Sequence, residues 1–93
     1  MINERRRMRR IRFPRPVRVA GPQGERWSAR AVDFCLEGIG LEAGHETAVG
    51  EELNVIFNLA RPGSRARTIQ ARGRVAHCER RGDGYVLGVQ FRH

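Results

Sequence analysis

The feature that most constrains the fold is an alternation of apolar and polar residues with a period of two. It is clearest in residues 53–59, 69–78 and 85–92, and weaker in residues 13–20, 27–34 and 39–43. Successive side chains of a strand point to opposite faces, so this alternation is typical of strands with one buried face. In residues 69–78 one face of the predicted strand carries the odd positions: Ile69, Ala71, Gly73, Val75 and His77.

Turn-forming residues separate the six segments. Glycine or proline occurs at 21–24, 38, 50, 62–63 and 82–84, and we place the centre of a tight hairpin at Asp83-Gly84. Six short strands without an amphipathic helix indicate an antiparallel barrel or sandwich. Closure removes exposed strand edges, and 93 residues suffice for one core, so we predict a single six-stranded antiparallel β-barrel.

The positive charge is concentrated at the N-terminus, and all 18 basic residues are arginine. Residues 1–18 hold eight arginines and one glutamate, a charge of +7, whereas residues 19–93 hold ten arginines and nine acids, a charge of +1. We predict a flexible, arginine-rich arm at residues 1–12 and a near-neutral barrel at residues 13–93. A uniformly basic nucleic-acid coat protein is excluded.

Several other classes of protein lack support in the sequence. No apolar run reaches the ~20 residues of a membrane helix, and no apolar stretch follows the charged N-terminus as in a signal peptide. Cys35 and Cys78 are predicted to be reduced thiols, with one disulfide between them as the alternative. No metal-ligand spacing and no catalytic motif occurs, so we expect no enzyme, no metal, no cofactor and a cytoplasmic location.

The arm carries the most specific chemistry, with five arginines among residues 5–10. A guanidinium group pairs bidentately with phosphate or with the guanine edge, and it stacks on flat rings. The spacing of Arg5, Arg6 and Arg10 can place two or three of these groups around one compact anion. Charge alone leaves open a solvated tail or a general nucleic-acid arm.

A second segment, residues 33–38, lies between two predicted strands. The carboxylate of Asp33 can accept hydrogen bonds from N1–H and N2–H₂ of guanine, and Gly38 permits close approach of a ligand or a positive φ. A plain strand–turn–strand connection remains the alternative.

Taken in order, the two segments resemble those of the PilZ domain family. Arg-Arg-x-x-x-Arg begins at Arg5, and residues 33–38 match (Asp/Asn)-x-Ser-x-x-Gly except that Cys35 replaces serine. The resemblance covers essentially the whole chain and implies a split β-barrel that binds cyclic di-GMP, a bacterial second messenger with two guanines and two phosphates.

The resemblance also implies roles for individual residues. Arg5, Arg6 and Arg10 would contact phosphates and guanine edges, Asp33 would recognise a guanine edge, and Gly38 would make room for the ligand. Cys35 would lie in the same site, where its thiol bonds more weakly than a hydroxyl. The C-terminal helix of many relatives is not expected, so a partner protein or a second copy would cover one barrel end.

These observations predict a cyclic di-GMP receptor whose arm folds onto the barrel around the ligand and signals to a partner protein. Two alternatives remain: a degenerate PilZ-like barrel that binds proteins but no nucleotide, and a nucleic-acid-binding arm on an inert barrel. His45 and His77 are expected to have surface or strand-packing roles.

Overall fold

Six antiparallel strands close into a barrel, as the alternation predicts. A computed structural model describes residues 11–59, 63 and 65–92. The strands are β1 (Ile11–Ala20), β2 (Arg26–Cys35), β3 (Gly38–Ala43), β4 (Glu52–Leu59), β5 (Arg67–Arg81) and β6 (Gly84–Phe91). They pair in the order β1-β2-β3-β6-β5-β4, and β4 returns to β1 to close the barrel. Each strand lies within a few residues of its predicted position.

The core forms from the inward half of each alternating strand. Leu41 of β3 and Leu87 of β6 are directly paired, and neither is exposed to solvent. Burial of a leucine side chain contributes about 1.5–3 kcal/mol, so this pair is a main source of stability on one side of the barrel. The small residues Ala29 and Ala31 of β2 are also buried and leave room for larger neighbours.

Three strands contain an irregularity that the alternation does not predict. The pairing register shifts between Arg12 and Arg15 in β1, between Ala31 and Asp33 in β2, and between Val75 and His77 in β5. Such a β-bulge adds one residue to a strand and thereby reverses which face the following side chains occupy.

The bulge in β5 reverses the faces predicted for the residues that follow it. The alternation assigns His77 to the same face as Val75, which is buried. Beyond the bulge, His77 is instead exposed, and Cys78 is half-buried and packs against the core. The prediction for these two residues was wrong because the extra residue inverts the phase of the strand.

The turn of the β5–β6 hairpin lies one residue before its predicted position. Arg81 pairs with Gly84, so the two loop residues are Gly82 and Asp83. Gly82 has a φ of 62°, and no non-glycine residue that the structure describes has a positive φ. Glycine at the first loop position is typical of a type II′ turn, so Gly82, and not Gly84, forms the turn.

The cysteines agree with the sequence analysis. Cys35 and Cys78 are both free thiols, as predicted. Within the described residues, no helix is long and apolar enough to cross a membrane.

Candidate functional site

A row of directly paired residues crosses the outer face of five adjacent strands. In order from β1 through β2, β3 and β6 to β5, the row consists of Arg12, Asp33, Gly40, Gly88 and His77. Leu41 and Leu87, which follow and precede the two glycines, are fully buried. Because adjacent side chains alternate, the row faces outward. We refer to these five residues as the Asp33 row.

The centre of the Asp33 row has no side chains of its own. A Cβ atom added to Gly40 would lie 2.9 Å from Oδ1 of Asp33, so this carboxylate leans over β3. A Cβ atom added to Gly88 would lie 2.7 Å from Nδ1 and 2.9 Å from Nε2 of His77. The imidazole therefore covers β6, and the two polar side chains occupy the space that the glycines leave.

The strand pairings of the described residues contain three bulges, and all three adjoin the Asp33 row. Those in β2 and β5 immediately precede Asp33 and His77. Continuing the alternation from the buried Ala31 and Val75 would point both polar side chains into the core. Bulges redirect side chains and are frequent beside functional sites. Here they place a carboxylate and an imidazole on the outer surface of a rigid barrel.

The turn after Asp33 joins β2 to β3, in the segment that the sequence analysis placed between two strands. Leu36 and Glu37 connect Cys35 to its partner Gly38. Gly38 is buried, and a Cβ atom there would collide with the carbonyl oxygen of Val89 in β6. Glycine is thus required for the approach of two backbones. The ligand-related role of Gly38 stays a prediction.

Cys35 is buried, with 8% of its surface exposed. A thiol so placed offers a ligand little surface, and its predicted contact stays a prediction. The structure does bring Asp33, Cys35 and Gly38 together at one corner of the barrel, where β2 turns into β3.

The predicted arm residues Arg5, Arg6 and Arg10 lie outside the described residues. The strand that follows them is described: β1 begins at Ile11, which pairs with Phe34. Two residues of the predicted arm, Ile11 and Arg12, therefore belong to the first strand. Arg12 is exposed, and in the register of the two strands it lies opposite Asp33.

A known protein family matches nearly the whole chain. The sequence profile of the PilZ domain matches residues 4–93. The chain belongs to the PilZ domain family. None of the curated protein sequences compared with this PilZ domain matches it.

Two solved structures resemble this PilZ domain in fold. The PilZ domain with c-di-GMP of YcgR from Escherichia coli superposes with a TM-score of 0.72 at 17% identity, covering 95% of this chain and 78% of that one. The PilZ domain of CeSA from a cellulose-synthesizing bacterium gives a TM-score of 0.69 at 16% identity, covering 91% and 82%. The predicted family and barrel are thus confirmed.

Sequence reasoning missed four members of the Asp33 row in this PilZ domain. Arg12 was counted only as part of the arm, and His77 was assigned a packing or surface role. Gly40 and Gly88 interrupt two apolar strands, which is a recognised sign of close approach by another group. The signal for His77 was the change of phase between Val75 and Cys78. Among the described residues, no group of His, Cys, Asp and Glu side chains could hold a metal ion.

Proposed function

We propose that this PilZ domain is a receptor for cyclic di-GMP, which binds between the arginine arm and the Asp33 row. One observation carries the proposal: a carboxylate suited to guanine is held by a bulge on the outer face, on the strand paired with the one into which the arm leads. The family match and the ligand named for the YcgR domain support the choice of nucleotide.

Asp33 is suited to recognise the Watson–Crick edge of guanine. An ionised carboxylate is an acceptor with two oxygens, and guanine presents N1–H and N2–H₂ side by side. Hydrogen bonds to charged groups contribute about 1.5–3 kcal/mol. Gly40 has no Cβ, so the carboxylate leans over β3, and in this proposal the base edge meets it above that strand.

The arginines supply the charge that the two phosphates require. Arg10 directly precedes Ile11, and the chain from Arg6 to Ile11 spans at most about 18 Å at ~3.6 Å per residue. This reach brings Arg5, Arg6 and Arg10 within range of a ligand at Asp33. Guanidinium groups bind phosphate and guanine through paired hydrogen bonds, and the ligand relieves repulsion among neighbouring arginines.

The proposal includes a change of shape that a partner protein detects. The arm is ordered against the barrel when the ligand binds, and the free energy of ligand contacts exceeds the entropic cost of ordering. The surface that forms includes Leu36 in the β2–β3 turn, whose side chain is 80% exposed. We propose action in the cytoplasm, which agrees with two free thiols.

Titration calorimetry with cyclic di-GMP tests the proposal. The parent chain is expected to bind at tens of micromolar ligand or below in moderate salt. Arg6→Ala and Arg10→Ala each remove a bidentate contact, and we expect affinity roughly ten- to a hundredfold lower. Arg9→Ala is the matched control, because it removes the same charge from the same segment at a variable position of the Arg-Arg-x-x-x-Arg motif.

The outcomes separate the proposal from its alternatives. No heat with the parent chain contradicts nucleotide binding and favours the protein-interaction barrel, which the buried thiol of Cys35 at the serine position also favours. Equal losses of affinity for Arg6→Ala and Arg9→Ala contradict a specific role of the motif. They indicate that the positive charge of the segment alone binds the ligand. Binding to RNA or DNA that falls steeply with salt, without response to cyclic di-GMP, identifies a nucleic-acid arm.

A further inference from the structure

We infer that the outer surface around β4 is a docking site for an acidic, extended segment of a partner protein. We refer to this surface as the β4 face. It consists of Arg18 of β1, Asn54 and Ile56 of β4, and Gln70, Arg72 and Arg74 of β5. The inference does not depend on nucleotide binding and concerns a part of the barrel that neither motif includes.

The alternation of β4 turns these side chains outward. Leu53 and Val55 are buried, so Asn54 and Ile56 point away from the core. Directly paired residues lie on the same side of a sheet, so the members of the face on β1 and β5 also point outward. Its arginines are exposed, whereas Ile56 is half-buried among them.

The β4 face carries positive charge that the described part of the chain does not pair. Among the described residues, no ion pair involves Arg18, Arg72 or Arg74. Glu52 borders the face opposite Arg74, but its carboxylate accepts a hydrogen bond from Nη1 of Arg92 and is thereby compensated. Guanidinium groups bind carboxylates through paired hydrogen bonds. The face therefore suits a partner that supplies carboxylates.

The surface is grooved, which favours an extended partner. Two adjoining depressions of about 660 and 290 Å³ share Glu52, Asn54 and Arg72. Together they lead from Gln70 on β5 to the turn that follows β1. The side-chain amides of Asn54 and Gln70 both donate and accept hydrogen bonds, as the N–H and C=O groups of a peptide backbone require.

The spacing of two arginines also matches an extended chain. Arg72 and Arg74 are exposed on either side of the buried Gly73, and alternate residues of a strand lie about 6.7 Å apart. Alternate side chains of an extended peptide repeat at the same distance, so two carboxylates of one segment can each meet a guanidinium group.

A protein segment fits this surface better than a nucleic acid does. Single-stranded nucleic acids gain affinity by stacking bases on aromatic side chains, and no member of the β4 face is aromatic. Ile56 instead offers a small apolar contact at the centre of the face, between Arg18 and Gln70.

The β4 face lies on the other side of the barrel from the Asp33 row. The row crosses the five strands other than β4, and in the closed order β4 is three strands away from β3 in both directions. A partner segment on the β4 face would therefore leave the centre of the row at Gly40 open, and both surfaces could be occupied at once.

Fluorescence anisotropy with a labelled peptide of eight alternating glutamate and threonine residues tests the inference, at low salt where charge attraction is least screened. The same peptide with glutamine for glutamate is expected to bind much more weakly. Arg18→Glu and Arg72→Glu replace attraction by repulsion, so we expect affinity for the glutamate peptide to fall roughly tenfold or more.

Arg80→Glu is the matched control, because it makes the same charge change at an exposed arginine of β5 outside the face. It should bind the glutamate peptide within about threefold of the parent, since an exposed charge away from the site contributes little. A thermal melt of each variant verifies the fold. Arg72→Glu should also bind cyclic di-GMP as the parent does, which separates this inference from the proposed function.

Three results would overturn the inference. The first is a parent chain that does not bind the glutamate peptide, or binds the glutamine peptide equally well. The second is equal peptide affinity of Arg72→Glu and Arg80→Glu, which would place the peptide elsewhere, such as on the arginine arm. The third is a single strand of eight thymidines that binds more tightly than the peptide and is weakened by Arg72→Glu, which would identify a nucleic-acid surface.

Discussion

At the scale of single residues, the glycines near the site serve two purposes. A Cβ atom at Gly38 would meet backbone, the carbonyl oxygen of Val89, which cannot move without the strand. The atoms nearest to a Cβ atom at Gly40 or Gly88 belong to the end of a side chain, that of Asp33 or His77. The fold therefore requires the first glycine, whereas the other two determine where polar groups lie on the surface.

Gly40→Ala is expected to weaken cyclic di-GMP binding without unfolding the barrel. The new methyl group would lie 2.9 Å from Oδ1 of Asp33, so the carboxylate must move. Loss of one charged hydrogen bond corresponds to about 1.5–3 kcal/mol, or at least about tenfold in affinity. Gly44→Ala is the matched control, since its Cβ atom would have no neighbour within 4 Å. Calorimetry with both variants measures the effect, and equal affinities would contradict the assigned position of Asp33.

At the scale of strands, the sequence predicted the elements but not their irregularities. The period of two located all six strands because every strand buries one face, as the burial of Val55 in β4 and Leu87 in β6 illustrates. A bulge inserts one residue into a strand and leaves no mark in its composition, so Asp33 was predicted from its chemistry, without the bulge that exposes it. His77 was assigned to the wrong face for the same reason.

The reason for Gly38 could not be predicted from its motif. Glycine at the end of Asp-x-Cys-x-x-Gly is compatible with a turn, with close approach of a ligand or with close approach of another strand. The third possibility depends on β6, which begins 46 residues later at Gly84. Contacts so distant in sequence leave no local signal, and only the closed barrel reveals them.

Gly38→Ala is expected to destabilise the barrel itself. The added methyl group conflicts with the backbone of β6, and overpacking of this kind costs about 1–3 kcal/mol. For a domain of this size the melting temperature should fall by roughly 5–20 °C. Urea denaturation of Gly38→Ala and of the control Gly44→Ala measures the difference in the free energy of unfolding. A thermal melt of the same variants measures the change in melting temperature. Unchanged stability together with lost ligand binding would restore the role that the sequence analysis gave to Gly38.

At the scale of the whole molecule, the net charge and the side chains that the strands position lie in different parts of the chain. Most of the net charge of +8 comes from the first 18 residues, while the remainder is near neutral. The barrel closes without open edges and holds Asp33 and His77 on strands, which position side chains more precisely than loops do. In the proposed function the arm supplies charge for the phosphates, and the barrel supplies selectivity for the base.

A titration followed by amide chemical shifts in ¹H–¹⁵N spectra tests the central claim most directly, because it reports both binding and its location. With cyclic di-GMP we expect the largest changes at the amides of Asp33, Gly40, Gly88 and His77. The loop from Gly44 to Gly50, which follows β3, should change little. Unchanged spectra at tens of micromolar ligand, or changes confined to that loop, would contradict a cyclic di-GMP site on the Asp33 row.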